Sequence, residues 1–154
     1  MRGFTLIELV ITVAIVGILA SVAVPLGALG NQRARELELR GALRQIRDAL
    51  DQYKRATEQG HVVRRADGSG FPPSLEVLES GVVDAKSPRG ARIYFLRRIP
   101  RDPFYTDPTA TPAQTWGKRS YASPADAPIE GEDVFDVYSL SARTGLNGVP
   151  YRAW

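Results

Sequence analysis

One carboxylate stands alone at the start of a long uncharged stretch. Glu8 is followed by no Asp, Glu, Lys or Arg until Arg33, and most of the residues between them are apolar. A charged side chain inside a membrane helix costs about 2.5–3.5 kcal/mol, so it normally has a partner. Three arrangements are open to Glu8. It pairs weakly with Arg2, it pairs with the ammonium group that Phe4 gains if the chain is cut after Gly3, or it lies at headgroup level without a partner.

The remaining polar residues do not form a recognisable catalytic set. With His61 as the single histidine and no cysteine, one chain cannot build a histidine-based triad, a multi-histidine metal site or a thiolate site. There is no glycine-rich phosphate loop, nucleophile elbow or HExxH helix. Residues 125–133 are interpreted as a solvated acidic loop; its carboxylates are Asp126, Glu130, Glu132 and Asp133. We therefore expect no enzymatic activity.

The charge distribution does not indicate a nucleic-acid-binding protein. The net charge is +3, and 20 basic residues are interspersed with 17 acidic ones, which is typical of solvated faces rather than of a basic patch. The most basic window that also contains aromatic residues is 89–101. We interpret it as an amphipathic strand with an exposed basic edge rather than as a contact with DNA or an acidic partner.

The uncharged stretch is long enough to cross a bilayer. A hydrocarbon core of about 30 Å needs about 20 apolar residues in helical conformation, and residues 4–30 provide them. The apolar region of a cleaved secretory signal is shorter, about 7–15 residues. The sequence therefore predicts a helix over residues 4–30 that is buried in lipid or in other copies of itself, with Pro25 inside it.

The helical pattern continues beyond the uncharged stretch. One apolar stripe runs through residues 31–59 at steps of four and three; its members are Leu39, Leu43, Ile46, Leu50 and Tyr53. This spacing places them on one face of an amphipathic helix. With Gly60 as the stop signal, the sequence predicts a nearly continuous helix from Phe4 to about Gln59.

Residues 60–154 have the pattern of a small globular domain. Pro72-Pro73-Ser74 opens a predicted short helix, Leu75–Glu79, that ends at Gly81. Several prolines after Ile99 predict an irregular loop. The predicted strands are Ile93–Leu96 (or a helical turn), Lys118–Ala122, Val134–Ser141 and Val149–Trp154.

The N-terminal residues RGFTLIEL (Arg2–Leu9) resemble the class III signal of type IV pilins and type II secretion pseudopilins. In that family a prepilin peptidase cuts after the glycine and N-methylates the new N-terminal residue. The resemblance implies a leader of residues 1–3 and cleavage between Gly3 and Phe4. It also implies that Glu8 pairs with the N-terminus of an adjacent subunit during assembly, and that the helix can melt near Pro25 in the filament.

The C-terminal part is similar to the major, G-type pseudopilin of type II secretion. The residues that carry this similarity are FPPSLEVL (71–78), IPRDPF (99–104), Trp116-Gly117 and VYSLSA (137–142). The resemblance implies a pilin-like α+β fold. A long N-terminal helix, membrane-spanning in its first half and amphipathic in its second, packs on a small antiparallel β-sheet.

One loop departs from that branch of the family. G-type pseudopilins usually follow the VYS strand with an aspartate-rich loop that binds calcium. Here residues 142–148 read ARTGLNG, with Arg143 where a carboxylate is expected. Calcium takes about 6–8 oxygen ligands, normally including carboxylates. We therefore expect no calcium site and no other metal or cofactor.

The resemblance implies a structural subunit of a type II secretion system that polymerises into a periplasmic pseudopilus and drives protein export. The implied location is the inner membrane of a Gram-negative bacterium, with a single span and the C-terminal domain in the periplasm. The implied partners are other copies of the chain, minor pseudopilins, prepilin peptidase and the inner-membrane assembly platform. Five arginines follow the span and only Arg2 precedes it, which would favour a cytoplasmic C-terminus, although that rule applies poorly to long translocated domains.

Two other functions fit the same residues. One is a type IV pilus subunit or minor pilin that serves adhesion, motility or DNA uptake. The other is a single-pass, membrane-anchored binding domain that never polymerises.

Overall fold

The structure is a computed structural model that describes residues 5–154, with only the backbone described for residues 22–28. It has the α+β architecture predicted from the sequence, with a long N-terminal helix and short antiparallel strands. The α-helices are α1 (Leu6–Glu58) and α2 (Glu76–Ser80). The strands are β1 (Val82–Val83), β2 (Arg92–Ile93), β3 (Trp116–Arg119) and β4 (Asp136–Ser139). Two 3-10 helices cover Pro112–Thr115 and Tyr151–Ala153.

The chain divides into two compact units, one up to Glu36 and one of Leu37–Trp154. In the first unit, α1 exposes its described apolar side chains: Leu6 is 82% exposed and Leu9 is 59% exposed. Across the described residues, no helix combines the length and the apolarity that crossing a membrane requires. A continuous apolar surface of this kind is normally covered by lipid or by another protein.

The core of the second unit contains the predicted apolar stripe of α1. Its five members are at most 7% exposed; they are Leu39, Leu43, Ile46, Leu50 and Tyr53. They share one hydrophobic cluster with side chains from α2, from the loops and from both strands of the β3–β4 pair; these include Leu78, Leu96, Trp116 and Val137. Fully burying one such aliphatic side chain stabilises a fold by about 1.5–3 kcal/mol. The amphipathic half of the predicted helix is therefore confirmed.

The strands form two separate two-stranded antiparallel sheets. Val82 pairs with Ile93 in the β1–β2 sheet, and Trp116 pairs with Ser139 in the β3–β4 sheet. Gly117 lies opposite Tyr138, and a Cβ at Gly117 would lie only 2.3 Å from the Tyr138 ring. The glycine of the Trp-Gly pair therefore makes room for the cross-strand aromatic ring.

A buried carboxylate joins the proline-rich loop to the β3–β4 sheet. Asp102 is 2% exposed. Its main-chain N–H donates to Thr115 Oγ1 at 3.1 Å, Oδ1 accepts from Phe104 N–H at 2.8 Å, and Oδ2 accepts from Ser139 Oγ at 2.5 Å. Every polar atom in this set has a partner, as buried polar groups require. The IPRDPF and VYS sequences thus meet through a polar network within the core.

Arg47 connects α1 to the other end of β4. Its Nε donates to Asp136 Oδ1 at 2.8 Å, and its guanidinium also donates to the carbonyl oxygens of Val137 and Trp154, at 3.2 and 2.8 Å. One guanidinium therefore holds the helix, the strand and the C-terminal segment together.

Three local predictions are wrong. Val149–Trp154 is not a strand: its β pairing is limited to one antiparallel bridge between Thr144 and Pro150, and residues 151–153 form a 3-10 turn. The loop after Ile99 is not irregular throughout, because Thr111 and Gln114 cap the 3-10 helix Pro112–Thr115.

The third wrong prediction concerns strand length. The predicted strand Ile93–Leu96 stops at Ile93, because the N–H groups of Phe95 and Leu96 donate to the Leu78 carbonyl in α2. β3 likewise ends at Arg119, since Ser120 N–H donates to the Ile129 carbonyl.

Replacing Asp102 should destabilise the fold more than replacing an exposed aspartate nearby. In Asp102→Ala the buried Phe104 N–H and Ser139 hydroxyl lose their acceptor, and each unsatisfied group costs about 1–3 kcal/mol. We expect the free energy of unfolding to fall by about 2–5 kcal/mol in urea denaturation followed by tryptophan fluorescence. Asp107→Ala, at an exposed position, is the control. Equal losses in the two variants would contradict the assigned role of Asp102.

Candidate functional site

Glu8 lies in the first turn of α1 and its side chain is exposed. Its Oε2 lies 3.5 Å from both the main-chain nitrogen and the Oγ1 of Thr5, and Thr5 Oγ1 lies 3.4 Å from Glu8 N. This is the reciprocal pattern of a capping box, although the distances exceed the usual range of about 2.7–3.2 Å. The cap therefore orients the Glu8 carboxylate but leaves it able to accept a stronger hydrogen bond from another group.

The other polar side chains in this part of α1 bond to their own helix. Thr12 Oγ1 donates to the Glu8 carbonyl at 2.9 Å and to the Leu9 carbonyl at 2.8 Å, and Ser21 Oγ donates to the Ile18 carbonyl at 2.7 Å. Such bonds satisfy a hydroxyl where water is excluded. Glu8 is different because it carries a formal charge, and a single carboxylate on an apolar helix end can bind a cation from another chain.

The helix end supports a negative charge but does not neutralise it. A carboxylate in the first turn interacts with the unpaired N–H groups of the helix N-terminus and gains about 0.3–1 kcal/mol. That is less than the cost of a carboxylate in an apolar environment. The site can therefore attract a positively charged group, and an amine is the simplest chemical match.

The other predicted site residues lie outside what the structure describes. Gly3 and Phe4, the predicted processing residues, precede the described range, so the predicted Phe4–Glu8 contact is outside it. Pro25 falls within the bounds of α1, but its side chain is not described. The assignments of Gly3 and Phe4 to processing, and of Phe4, Glu8 and Pro25 to assembly, remain predictions.

Sequence reasoning missed the part that Thr5 plays. The Thr5-Leu6-Ile7-Glu8 sequence has the Thr-x-x-Glu spacing of a capping box directly before an apolar run. That signal was readable, and it would have identified Thr5 as the residue that positions Glu8.

The acidic loop contains one structural carboxylate. Burial alone would raise the pKa of Asp133, but hydrogen bonds from Ser69 Oγ, Ser120 Oγ and Tyr121 N–H outweigh burial and lower it. Asp133 thus stays ionised and joins two loops. Within the described residues, no group of three or more His, Cys, Asp or Glu side chains is arranged to hold a metal ion.

Residues 142–148 are closed into a turn by hydrogen bonds to Val149. Asn147 Oδ1 accepts from Val149 N–H at 3.1 Å, and the Val149 carbonyl accepts from Gly145 N–H at 2.9 Å. The Arg143 guanidinium lies 5.4 Å from the centre of the Phe104 ring. Residues 142–148 contain no carboxylate, which calcium sites normally include, and the one side-chain amide oxygen among them accepts a hydrogen bond from the loop itself.

The single histidine lies within hydrogen-bond distance of a carboxylate. His61 Nδ1 lies 2.9 Å from Asp84 Oδ1. The main-chain N–H of Lys86 and the ring of His61 lower the pKa of Asp84. This contact links the segment after α1 to the turn after β1.

The N-terminal part of the chain matches a known family model. The family model described as "Prokaryotic N-terminal methylation motif" matches residues 1–24, which include the Gly3–Phe4 bond and Glu8. No solved structure matches the chain.

Three relatives align over more than nine tenths of the chain, and each is called type II secretion system core protein G. The protein from Klebsiella michiganensis is 29% identical over 148 residues, covering 92% of this chain and 96% of the relative. The one from Vibrio cholerae is 32% identical over 146 residues, covering 91% and 80%. The one from Pseudomonas aeruginosa is 30% identical over 148 residues, covering 91% and 82%.

Proposed function

We propose that this chain, which belongs to the type II secretion system core protein G family, is the major pseudopilin of such a system. The observation that carries the proposal is the first unit of the structure. There, α1 exposes its described apolar side chains and carries one exposed carboxylate in its first turn. A helix of this kind is suited to burial among identical helices, because each copy supplies both the apolar surface and the partner for the charge.

The proposed maturation begins with cleavage between Gly3 and Phe4 by prepilin peptidase, followed by N-methylation of Phe4. The family match over residues 1–24 supports this step. Cleavage gives Phe4 an ammonium group four residues from Glu8. In the filament, the ammonium of one subunit pairs with the Glu8 carboxylate of an adjacent subunit and fixes the axial register between the two helices.

Before assembly, the uncharged stretch around Pro25 anchors the precursor in the inner membrane as a single span. The C-terminal domain lies in the periplasm of a Gram-negative cell. The support is the run without charged residues from Leu9 to Gln32, which exceeds the about 20 residues that a bilayer core requires. Extraction from the lipid then delivers the subunit into a periplasmic filament that drives protein export.

The proposed partners follow from this cycle. They are other copies of the chain, minor pseudopilins at the filament tip, prepilin peptidase and the inner-membrane assembly platform, with no nucleic acid. The subunit is structural and not an enzyme. The relatives named above favour this function over a type IV pilin and over an anchored domain that does not polymerise.

Glu8 provides the test of the assembly step. Glu8→Gln keeps the size of the side chain and much of its capping capacity but removes the charge, so it should insert in the membrane normally and fail to form filaments. Glu8→Asp keeps the charge on a shorter side chain and should assemble in part. Thr12→Val is the control, since Thr12 donates only within its own helix. Filament yield in sheared fractions and subunit level in membranes are the two measurements.

Wild-type filament yield from Glu8→Gln would refute the proposed role of the charge. Loss of Glu8→Gln from the membrane fraction itself would assign Glu8 to insertion rather than assembly.

We also propose that the pseudopilin folds without calcium. The 142–148 loop is closed by its own hydrogen bonds and by Tyr151 N–H, which donates to the Arg143 carbonyl. Because no ion is needed to hold it, EDTA should leave the melting temperature of the purified chain unchanged, and added calcium should not raise it. Thermal denaturation with EDTA, with calcium and with magnesium measures this effect. A fall of several degrees with EDTA that calcium alone reverses would contradict the proposal.

A further inference from the structure

A groove beside α1 in the Leu37–Trp154 unit combines positive charge with apolar surface. It encloses about 610 Å³, and three arginines of α1 line it, Arg40, Arg44 and Arg47, together with Leu37 and Trp154. None of the described side chains that line it is acidic. We call it the basic groove.

Two of these arginines are not neutralised by a described carboxylate. Arg47 is committed to Asp136 and two carbonyl oxygens. Arg40 instead lies over the Trp154 ring at 4.3 Å, and Arg44 Nε donates to the Arg40 carbonyl at 3.3 Å. Within the part of the chain that the structure describes, no carboxylate pairs with Arg40 or Arg44. Beside them, Leu37 is 66% exposed.

The acidic loop, residues 125–133, has the complementary properties. Asp126 and Glu132 are exposed and form no hydrogen bond or ion pair with other described residues, and Glu130 approaches Lys118 only to 3.7 Å. Between them, the Ile129 side chain is 63% exposed.

The backbone at Ile129 is held in place although its side chain is exposed. Ile129 N–H donates to Ser123 Oγ at 2.8 Å, and its carbonyl accepts from Ser120 N–H at 3.0 Å. An exposed apolar side chain on an anchored loop, flanked by carboxylates, is preorganised for docking, because little backbone freedom is lost on contact.

We propose that the acidic loop of one copy docks in the basic groove of a neighbouring copy. The loop carboxylates meet Arg40 and Arg44, and Ile129 covers Leu37. This inference rests on the proposed function, since it names the surfaces through which the globular domains of the pseudopilus touch. Opposite charges facing each other favour the correct pairing, whereas like charges at such a contact are costly.

The two surfaces differ, which makes the contact heterologous. Each subunit that uses its loop on one neighbour leaves its groove free for another, so the contact propagates as an open helical polymer rather than closing as a dimer. An anionic lipid surface would fill the groove but would leave Ile129 and its carboxylates exposed. A second copy satisfies both surfaces at once.

Disulfide trapping tests the contact directly, because the chain has no cysteine of its own. The double variant Arg44→Cys with Glu132→Cys, oxidised with copper phenanthroline in cell membranes, should give a ladder of dimers, trimers and higher species. Arg44→Cys alone and Glu132→Cys alone should remain monomers, because each groove faces a loop and not another groove. The control pair is Arg55→Cys with Glu132→Cys; it uses an exposed arginine of α1 outside the groove and should give no ladder. Absence of a ladder from the groove pair would overturn the proposal.

Charge reversal adds a functional arm. Arg44→Glu and Glu132→Arg, each expressed alone, should lower filament yield by about tenfold or more, because each places like charges at the contact. Co-expression of the two variants should restore filaments, since the reversed groove of one accepts the reversed loop of the other. Arg55→Glu makes the same change in net charge outside the groove and should leave the yield unchanged.

The outcomes separate the docking proposal from the proposed function. Wild-type yield from both reversals would overturn the docking contact while leaving the pseudopilin function intact. A wild-type chain that forms no filaments would refute the function, and the disulfide ladder would still decide whether loop and groove meet.

Discussion

An apolar helix with a charged group at its end must have both features covered. The described apolar side chains of the first unit are exposed, and Glu8 is held loosely by Thr5. Water is a poor solvent for that surface, and lipid is a poor solvent for the carboxylate. In the proposed filament, identical helices side by side satisfy both demands, since each supplies apolar surface and, after the proposed cleavage, an amine. The proposed polymerisation therefore has a physical basis in the helix itself.

The second unit meets a different demand, that of a small fold without disulfides. With no cysteine in the chain, its stability depends on packing and on fully satisfied polar groups. Asp102 links three segments that are distant in sequence, and the Trp116 indole donates to the Pro100 carbonyl at 2.8 Å. The residues that carry the family resemblance are thus largely those that hold this unit together, which explains why their pattern also predicts the fold.

The helix could be predicted because its signal is long and periodic. The stripe from Leu39 to Tyr53 repeats over four turns, and Gly60 follows it, so local and tertiary preferences agree. The short strands could not be bounded in the same way. Their ends depend on hydrogen-bond partners that are distant in sequence, and no local pattern reveals such partners. The Leu78 carbonyl, for example, accepts from the N–H groups of Phe95 and Leu96, which follow β2. The same reason explains the wrong strand at the C-terminus.

The candidate site was predicted in part. A lone carboxylate in an apolar run identifies Glu8 from residue types alone, and the Thr5 cap was readable but overlooked. The basic groove could not be predicted, because Trp154 comes beside Arg40 only in the folded chain. The i,i+4 spacing of Arg44 and Asp48 predicts a supporting ion pair on the helix face, and this prediction is wrong, since the structure contains no ion pair between them. The positive charge that Arg40 and Arg44 leave unpaired within one copy is therefore evident only from the structure.

The most direct test of the central claim is the mass of the N-terminal peptide of the chain isolated from cell membranes. If an amine at the helix start neutralises the carboxylate of a neighbouring copy, the mature chain begins at Phe4 and carries one methyl group on its nitrogen. A peptide that begins with intact Met1, in cells that assemble the filament, would contradict the account.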